Sequence, residues 1–489
     1  MRWLIFAVLV SPGCSCSEEP GPGARRVFAP FDAGGALDAG HFDAAEGDSP
    51  DSGATDLGRG DGSTRDGGGR RDCALGLADG CCPLSRRYGG SDPDCPVLAC
   101  PTLSGSDPIE LLDPQTRGTD FWSTPALAFD GQELEIAIAD ARYRPPAESA
   151  GVLVQRRSLS GDLTREIERK DLTSGRRLIH GPTRLIVEPT SRRSVFVAPA
   201  TQPSEFVALS WVDESGVSAE SRLGTICNGF ANHLDLVLRG DGFRAVQSYE
   251  NCESTTLGVA ICDLAADGSL LGTHQEPART QYLAASAFDF DSARSLLLIV
   301  KNDGQPRDRL EASWYGDALV PLGLVSTIEH SAGDYDTVSI GRGAGQFGVL
   351  RETRRFVQFQ GLRKRLEFLT LSDSGEVGTP VELIPYDHDL NLAEAKIMWT
   401  GRDYLLVLTT LAGAESLGPS FSDEPSAEVI RVAESGQILD RFALDPDPGS
   451  IQEVFVDAVW AGDRFAISWV GVKGDGSRRP YLRFVGCGE

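Results

Sequence analysis

A tight turn followed within a few residues by an apolar strand position recurs along the last three-quarters of this chain, and the recurrence restricts the fold more than any other feature. The clearest copy is Ala458-Val459-Trp460-Ala461-Gly462-Asp463-Arg464-Phe465-Ala466-Ile467-Ser468-Trp469: an apolar run, a Gly-Asp turn, then a second alternating run. Further copies turn at Asp130-Gly131, Ser191-Arg192, Asp241-Gly242, Asp291-Ser292, Arg342-Gly343 and Gly401-Arg402. The average interval is about 55 residues, near the roughly 40 to 50 of known propeller repeats. A second series lies between them, at Gly161-Asp162, Ser215-Gly216, Asp267-Gly268, Gly316-Asp317, Ser374-Gly375 and Ser435-Gly436. Gly and Asp supply the left-handed backbone that two-residue hairpins demand. Each repeat therefore reads as strand A, tight turn, strand B, longer loop, strand C, tight turn, strand D, which is the antiparallel unit of a propeller blade.

Seven turns of the first series face six of the second, because the chain ends soon after Tyr481 to Val485, which reads as strand C of a last blade. The apolar segment Ile109-Glu110-Leu111-Leu112, just ahead of the first repeat, is the natural source of the missing strand D. The expectation is an all-β fold over 107–489: a seven-bladed β-propeller of four-stranded antiparallel blades. The N-terminal strand completes the last blade, so that no open sheet edge remains. The first interval, 61 residues from Asp130 to Ser191, has room for an irregular strand.

Residues 1–16 hold one Arg, an apolar run from Trp3 to Val10, and then Ser11-Pro12-Gly13-Cys14-Ser15-Cys16. The run is too short to span a bilayer and has the layout of an export signal. The small residue before Cys14 resembles the lipobox of bacterial lipoproteins, although Ser11 stands where a Leu is usual and Cys16 is a competing site. That resemblance implies lipidation at Cys14, and the non-Asp Ser15 implies sorting to the outer membrane. Residues 17–72 are Asp, Gly, Ala, Ser and Pro with few large apolar side chains, a composition expected to form a disordered tether. A lipidated Cys, such a tether and a globular domain together resemble cell-envelope lipoproteins of myxobacterial type. Residues 73–106 form a small segment with Cys73, Cys81, Cys82, Cys95 and Cys100, read as a disulfide knot in an exported chain, with zinc as the alternative. Cys487 would latch the ring to Cys100 or Cys95, and a Cys227–Cys252 bond would join one end of a hairpin; Cys262 reads as a buried thiol inside a strand C.

A net charge of -25 argues against nucleic acid as a partner. There is no Gly-x-Ser-x-Gly elbow, His-Glu-x-x-His helix or phosphate-binding glycine loop, and no cofactor is expected on present motifs. His180, His330 and His388 fall at matching phase, about twelve to fourteen residues ahead of their first-series turns, and Asp387 and Asp389 flank the last. Imidazoles and carboxylates converging at the channel mouth would make a metal or ligand site. The segment Arg351 to Arg365, with Arg354, Arg355, Arg363 and Lys364, reads as one strongly basic loop on an acidic protein and a candidate for anion binding. Two functions follow from this: an envelope-anchored binding or scaffold module for an extracellular glycan or protein, or a propeller hydrolase or lyase with a metal-assisted site at the channel mouth.

Overall fold

The structure is a computed structural model. It describes residues 102–112, 124–140 and 151–169 and, from 177 to 487, the strands given below with their adjoining turn residues; residues 1–101, and with them the signal, the tether and the five cysteines of the 73–106 segment, lie outside the described residues.

Two short strands come first, β1 (Leu103–Gly105) and β2 (Ile109–Glu110). The first blade is β3 (Ala126–Phe129), β4 (Leu134–Asp140), β5 (Gly151–Arg157) and β6 (Leu163–Arg169). The second has six strands in four positions: β7 (Arg177–Leu178), β8 (Arg184–Val187), β9 (Ser194–Thr201), β10 (Glu205–Asp213), β11 (Gly216–Val217) and β12 (Ser221–Ile226). The third is β13 (Leu234–Arg239), β14 (Gly242–Asn251), β15 (Thr256–Leu264) and β16 (Leu270–Ala278), and the fourth β17 (Ala284–Phe288), β18 (Ser295–Lys301), β19 (Arg309–Tyr315) and β20 (Pro321–Glu329). The fifth is β21 (Asp334–Arg342), β22 (Gln346–Val357), β23 (Gly361–Ser372) and β24 (Val381–Ile384). The sixth is β25 (Leu390–Trp399), β26 (Tyr404–Ala412), β27 (Ala427–Val432) and β28 (Ile438–Ala443). The last strands are β29 (Ser450–Trp460), β30 (Phe465–Lys473) and β31 (Arg478–Cys487).

Every described sheet is antiparallel, and together they form a β-propeller. Six blades, not seven, are made of consecutive strands; the remaining sheet is a composite in which β31 pairs with both β1 and β2. Ile109 lies opposite Leu482 and Glu110 opposite Tyr481, the pairing expected of that segment. Reading turns alone missed β1, whose Leu103 lies opposite Cys487. The composite sheet's β29 packs against β25 on one side and β3 on the other, which closes the ring. In the second blade, β7 and β8 both pair with β9, so the wide first interval does hold an extra short strand.

Strands between blades must be apolar on both faces, and the hairpin at 458–469 shows why. Ala458, Trp460, Phe465, Ile467 and Trp469 pack with Val407 and Val429 of the sixth blade. Val459, Ala466 and Val470, on the opposite face, pack with Leu127 and Ile136 of the first. In the sixth blade and the composite sheet an aromatic pair closes the rung at the A–B turn: Trp399 opposite Tyr404 and Trp460 opposite Phe465, with ring centroids 4.9 and 4.7 Å apart in edge-to-face geometry. Cys262 is a buried free thiol on β15, as its place within a strand C suggested, and burial pushes its pKa up.

Candidate functional site

Charged residues on innermost strands are costly unless paired, because the neighbouring blades exclude water. Three of them meet where the sixth blade, the composite sheet and the first blade adjoin. Glu394 and Lys396 are two apart on β25 and so share a face; Asp457 lies on β29. The Lys396 ammonium is 4.0 Å from Glu394 Oε1 and 4.0 Å from Asp457 Oδ1. Glu394 Oε2 accepts from Val456 N at 2.9 Å and from the Thr124 hydroxyl at 3.3 Å. Asp457 Oδ2 accepts from Leu127 N at 3.0 Å. The two carboxylates therefore staple three sheets together through backbone amides. Glu394 and Lys396 keep nearly a fifth of their side-chain surface exposed, and Asp457 keeps 1 %.

The staple continues into the next blades. The Thr183 hydroxyl donates to the carbonyl of Thr124, and Arg184 Nη1 donates to the carbonyl of Thr183 at 2.8 Å. Arg184 on β8 also lies 3.8 Å from Asp235 on β13. Further out, Glu135 on β4 is buried and accepts from Arg156 Nε at 3.0 Å. Desolvation raises its pKa, opposed by hydrogen bonding to Ser194 and the charge of Arg156. Glu394, Lys396 and Asp457 were missed at the sequence level. The available signal was a charge interrupting an apolar strand, as in Val454-Phe455-Val456-Asp457-Ala458-Val459-Trp460.

The basic segment is not a loop. It is the far end of the β22–β23 hairpin, joined through 358–360, with Arg354 opposite Lys364 and Arg355 opposite Arg363. At the hairpin's base the charges are spent internally. Arg351 is buried and donates to Glu367 at 2.9 Å. Arg365 lies 2.8 Å from Glu367 and 3.8 Å from Glu382, and its Nε donates to the Thr353 hydroxyl at 3.3 Å. Arg354, Arg355, Arg363 and Lys364 lie farther along the same two strands, toward the B–C connection.

His180, His330, His388, Asp387 and Asp389 lie outside the described residues, as do Cys227, Cys252, Cys100 and Cys14. Among the described residues no three His, Cys, Asp or Glu side chains form a metal-binding group.

No protein-family model matches the chain, and no curated protein matches it. Solved structures do resemble it. The β-propeller domain of the Trilobed protease from Pyrococcus furiosus, described as having an open velcro topology, shares 11% identity over 78% of this chain and 94% of its own, with a TM-score of 0.41. Polysaccharide lyase Uly1 shares 9% over 80% and 99%, with a TM-score of 0.46. The α-L-arabinofuranosidase arb93a from Fusarium graminearum shares 9% over 77% and 97%, with a TM-score of 0.42. What this chain has in common with them is the β-propeller fold.

Proposed function

We propose that this chain is an exported lipoprotein, anchored through Cys14 in the outer membrane, whose propeller binds an extracellular glycan or an envelope protein. In this reading β29–β31 with β1 and β2 count as a seventh blade, and the B–C and D–A connections of one face carry the contacts. A stiff ring that presents loops suits binding, because the scaffold holds them while their sequences vary.

The observation that carries the proposal is the β22–β23 hairpin. Its strands are 12 residues each, and its outer rungs set Arg354 against Lys364 and Arg355 against Arg363. Like charges directly opposite each other destabilise a strand pair; Asp334 of β21 faces Arg354 from its other side, and an anionic ligand would relieve what remains at Arg355 and Arg363. On a chain of net charge -25 such a tip favours an acidic glycan over a neutral one. Electrophoresis through gels containing polygalacturonate or neutral amylose tests this. Retardation by polygalacturonate that falls with salt, and is lost in the Arg354→Ala/Arg355→Ala/Arg363→Ala/Lys364→Ala variant, supports the proposal. Equal mobility of parent and variant in both gels sinks it.

A hydrolase or lyase with a metal-assisted site at the channel mouth is the second reading. One observation favours it: Glu394 and Asp457 flank Lys396 on innermost strands, which is acid–base equipment near the axis. Release of new reducing ends or unsaturated uronate, together with about one equivalent of bound metal, would carry it over the first.

A further inference from the structure

The β22–β23 hairpin changes character from its base to its end. Its inner rungs are closed: Arg351 lies opposite Glu367 and donates to it at 2.9 Å, and Glu352, Thr353 and Leu366 are buried. β24 pairs with β23 as far as Leu366, and β21 pairs with β22 as far as Arg354, which has Asp334 on its other side. Among the described residues no strand pairs with the hairpin beyond those points. Two cationic rungs follow, Arg354 opposite Lys364 and Arg355 opposite Arg363, and then two without charge, Phe356 opposite Leu362 and Val357 opposite Gly361. Strand alternation divides them between the two faces of the ribbon. Arg354, Lys364, Phe356 and Leu362 share one face, and Arg355, Arg363, Val357 and Gly361 the other. On each face the order outward is therefore cation, then apolar, with about 7 Å between the two rungs.

We infer that this hairpin end docks on an anionic lipid surface, with its cations at the headgroup phosphates and its apolar rungs in the headgroup–acyl boundary. The inference rests on the proposal that the hairpin takes an anionic ligand, and it names that ligand as a lipid. Charge calls for an anion, and the order of the rungs calls for acyl chains beyond it. A soluble acidic glycan meets the cations but leaves Phe356, Val357 and Leu362, at the far end, in water. A folded partner laid on the ribbon covers one face, whereas both faces carry the same succession of cation and apolar residue; a fluid surface encloses both at once. The step of about 7 Å matches the roughly 5–10 Å to which interfacial apolar residues enter this boundary. The chain's net charge of -25 opposes the approach only weakly here. Arg355 to Val357 run on past the last rung with β21, a reach of about 10 Å against a Debye length of about 8 Å at physiological salt.

The test uses the full chain with Cys14→Ser, so that no acyl group contributes, and sucrose-loaded vesicles of equal parts phosphatidylcholine and phosphatidylglycerol, with phosphatidylcholine alone as the control. The comparison protein adds Phe356→Ser and Leu362→Ser. Both proteins share residues 1–16, so any pull from that apolar run cancels. The parent is expected to cosediment with the mixed vesicles only, and salt should weaken the binding. The Phe356→Ser/Leu362→Ser variant should lose about tenfold in apparent partition yet keep the parent's retardation in polygalacturonate gels, because its cations remain. Equal partition of parent and variant, or a parent that stays in the supernatant as monomer or as dimer, overturns the inference. Retardation by polygalacturonate without vesicle binding overturns it and leaves the glycan reading standing, whereas a parent that binds neither removes both. If the double variant loses its gel retardation as well, the hairpin itself has been disturbed, and Val357→Ser at the last rung decides by the same two readouts. A several-fold drop in its partition at unchanged gel mobility supports the inference, and an unchanged partition overturns it.

Discussion

Two ion pairs with similar N–O distances differ in burial, and that difference should decide their worth. Asp403, in the turn between β25 and β26, accepts from Arg431 on β27 at 3.0 Å (Nε) and 2.7 Å (Nη2), and from the Thr400 hydroxyl at 2.6 Å. The Asp403 and Arg431 side chains are 1 and 4% exposed. Asp463, in the corresponding turn of the composite sheet, accepts from Arg464 at 2.7 and 2.8 Å, but those side chains are 64 and 41% exposed. Hydrogen bonding to Arg464 lowers the Asp463 pKa, yet solvent screens the pair. Asp403→Ala removes a buried carboxylate from a buried guanidinium, at a cost of about 3–5 kcal/mol, whereas Asp463→Ala should cost about 1 kcal/mol or less. At roughly 2 °C per kcal/mol for a domain of this size, the melting temperature should fall by about 5–10 °C in the first case and about 2 °C or less in the second. Scanning calorimetry measures both, and Asp403→Ala/Arg431→Met should regain at least half of the loss, because the buried charge that lost its carboxylate is gone. Equal shifts for Asp403→Ala and Asp463→Ala would refute the argument that burial, rather than contact geometry, sets the value of these pairs.

Other substitutions probe the blade seams and the closure. A Cβ on Gly341 of β21 would lie 2.5 Å from the carbonyl oxygen of Ile397 in the next blade, so Gly341→Ala should destabilise by about 1–3 kcal/mol in urea melts; an unchanged midpoint would mean that the seam yields. Glu135 has a raised folded-state pKa, so the folded form holds its proton more tightly than the unfolded form and the wild type loses stability as pH rises through and above the ordinary carboxyl range. The melting temperature of Glu135→Gln relative to wild type should therefore climb between about pH 4 and pH 7, and a difference that is flat or falls with pH contradicts the desolvated carboxyl. Because Leu103 lies opposite Cys487, Cys100 comes three residues before that rung, and peptide mapping without reductant should link Cys487 to Cys100 or Cys95; a Cys487 found as free thiol would discard the latch.

The blade repeat was legible because its turns need residue types that little else requires. Gly131 and Gly436 sit at φ of 93° and 87°, where a Cβ is strained, and Asp130 Oδ1 holds the amides of Gln132 and Glu133 at 2.8 and 2.7 Å. The closing strand was legible at Ile109 for a different reason, as an apolar segment with no other sheet to join. Leu103–Gly105 was not, since three residues carry no period. The 351–365 segment was misjudged because its charges suggested solvent. Pairing of Phe356 with Leu362 and Glu352 with Leu366 is set by the far end of the hairpin, a relation no local window contains. The Glu394, Lys396 and Asp457 staple joins residues more than 60 positions apart and reaches back to Leu127, so its partners only become visible with the ring assembled.

Six of the sheets are built from neighbours in sequence, whereas Arg483 Nε reaches the carbonyl of Ser106 across a separation of 377 residues. Such an arrangement orders the folding of the chain. Each meander can form from local contacts, but closure must wait until both ends of the domain are present, and long-range pairing is the slow kind. Before that step an open arc would leave uncovered the faces that Leu127 and Ile136 present to Ala466 and Val470. The partly folded arc is then the aggregation-prone species, and refolding yield should depend on protein concentration up to the moment β1 and β2 reach β31.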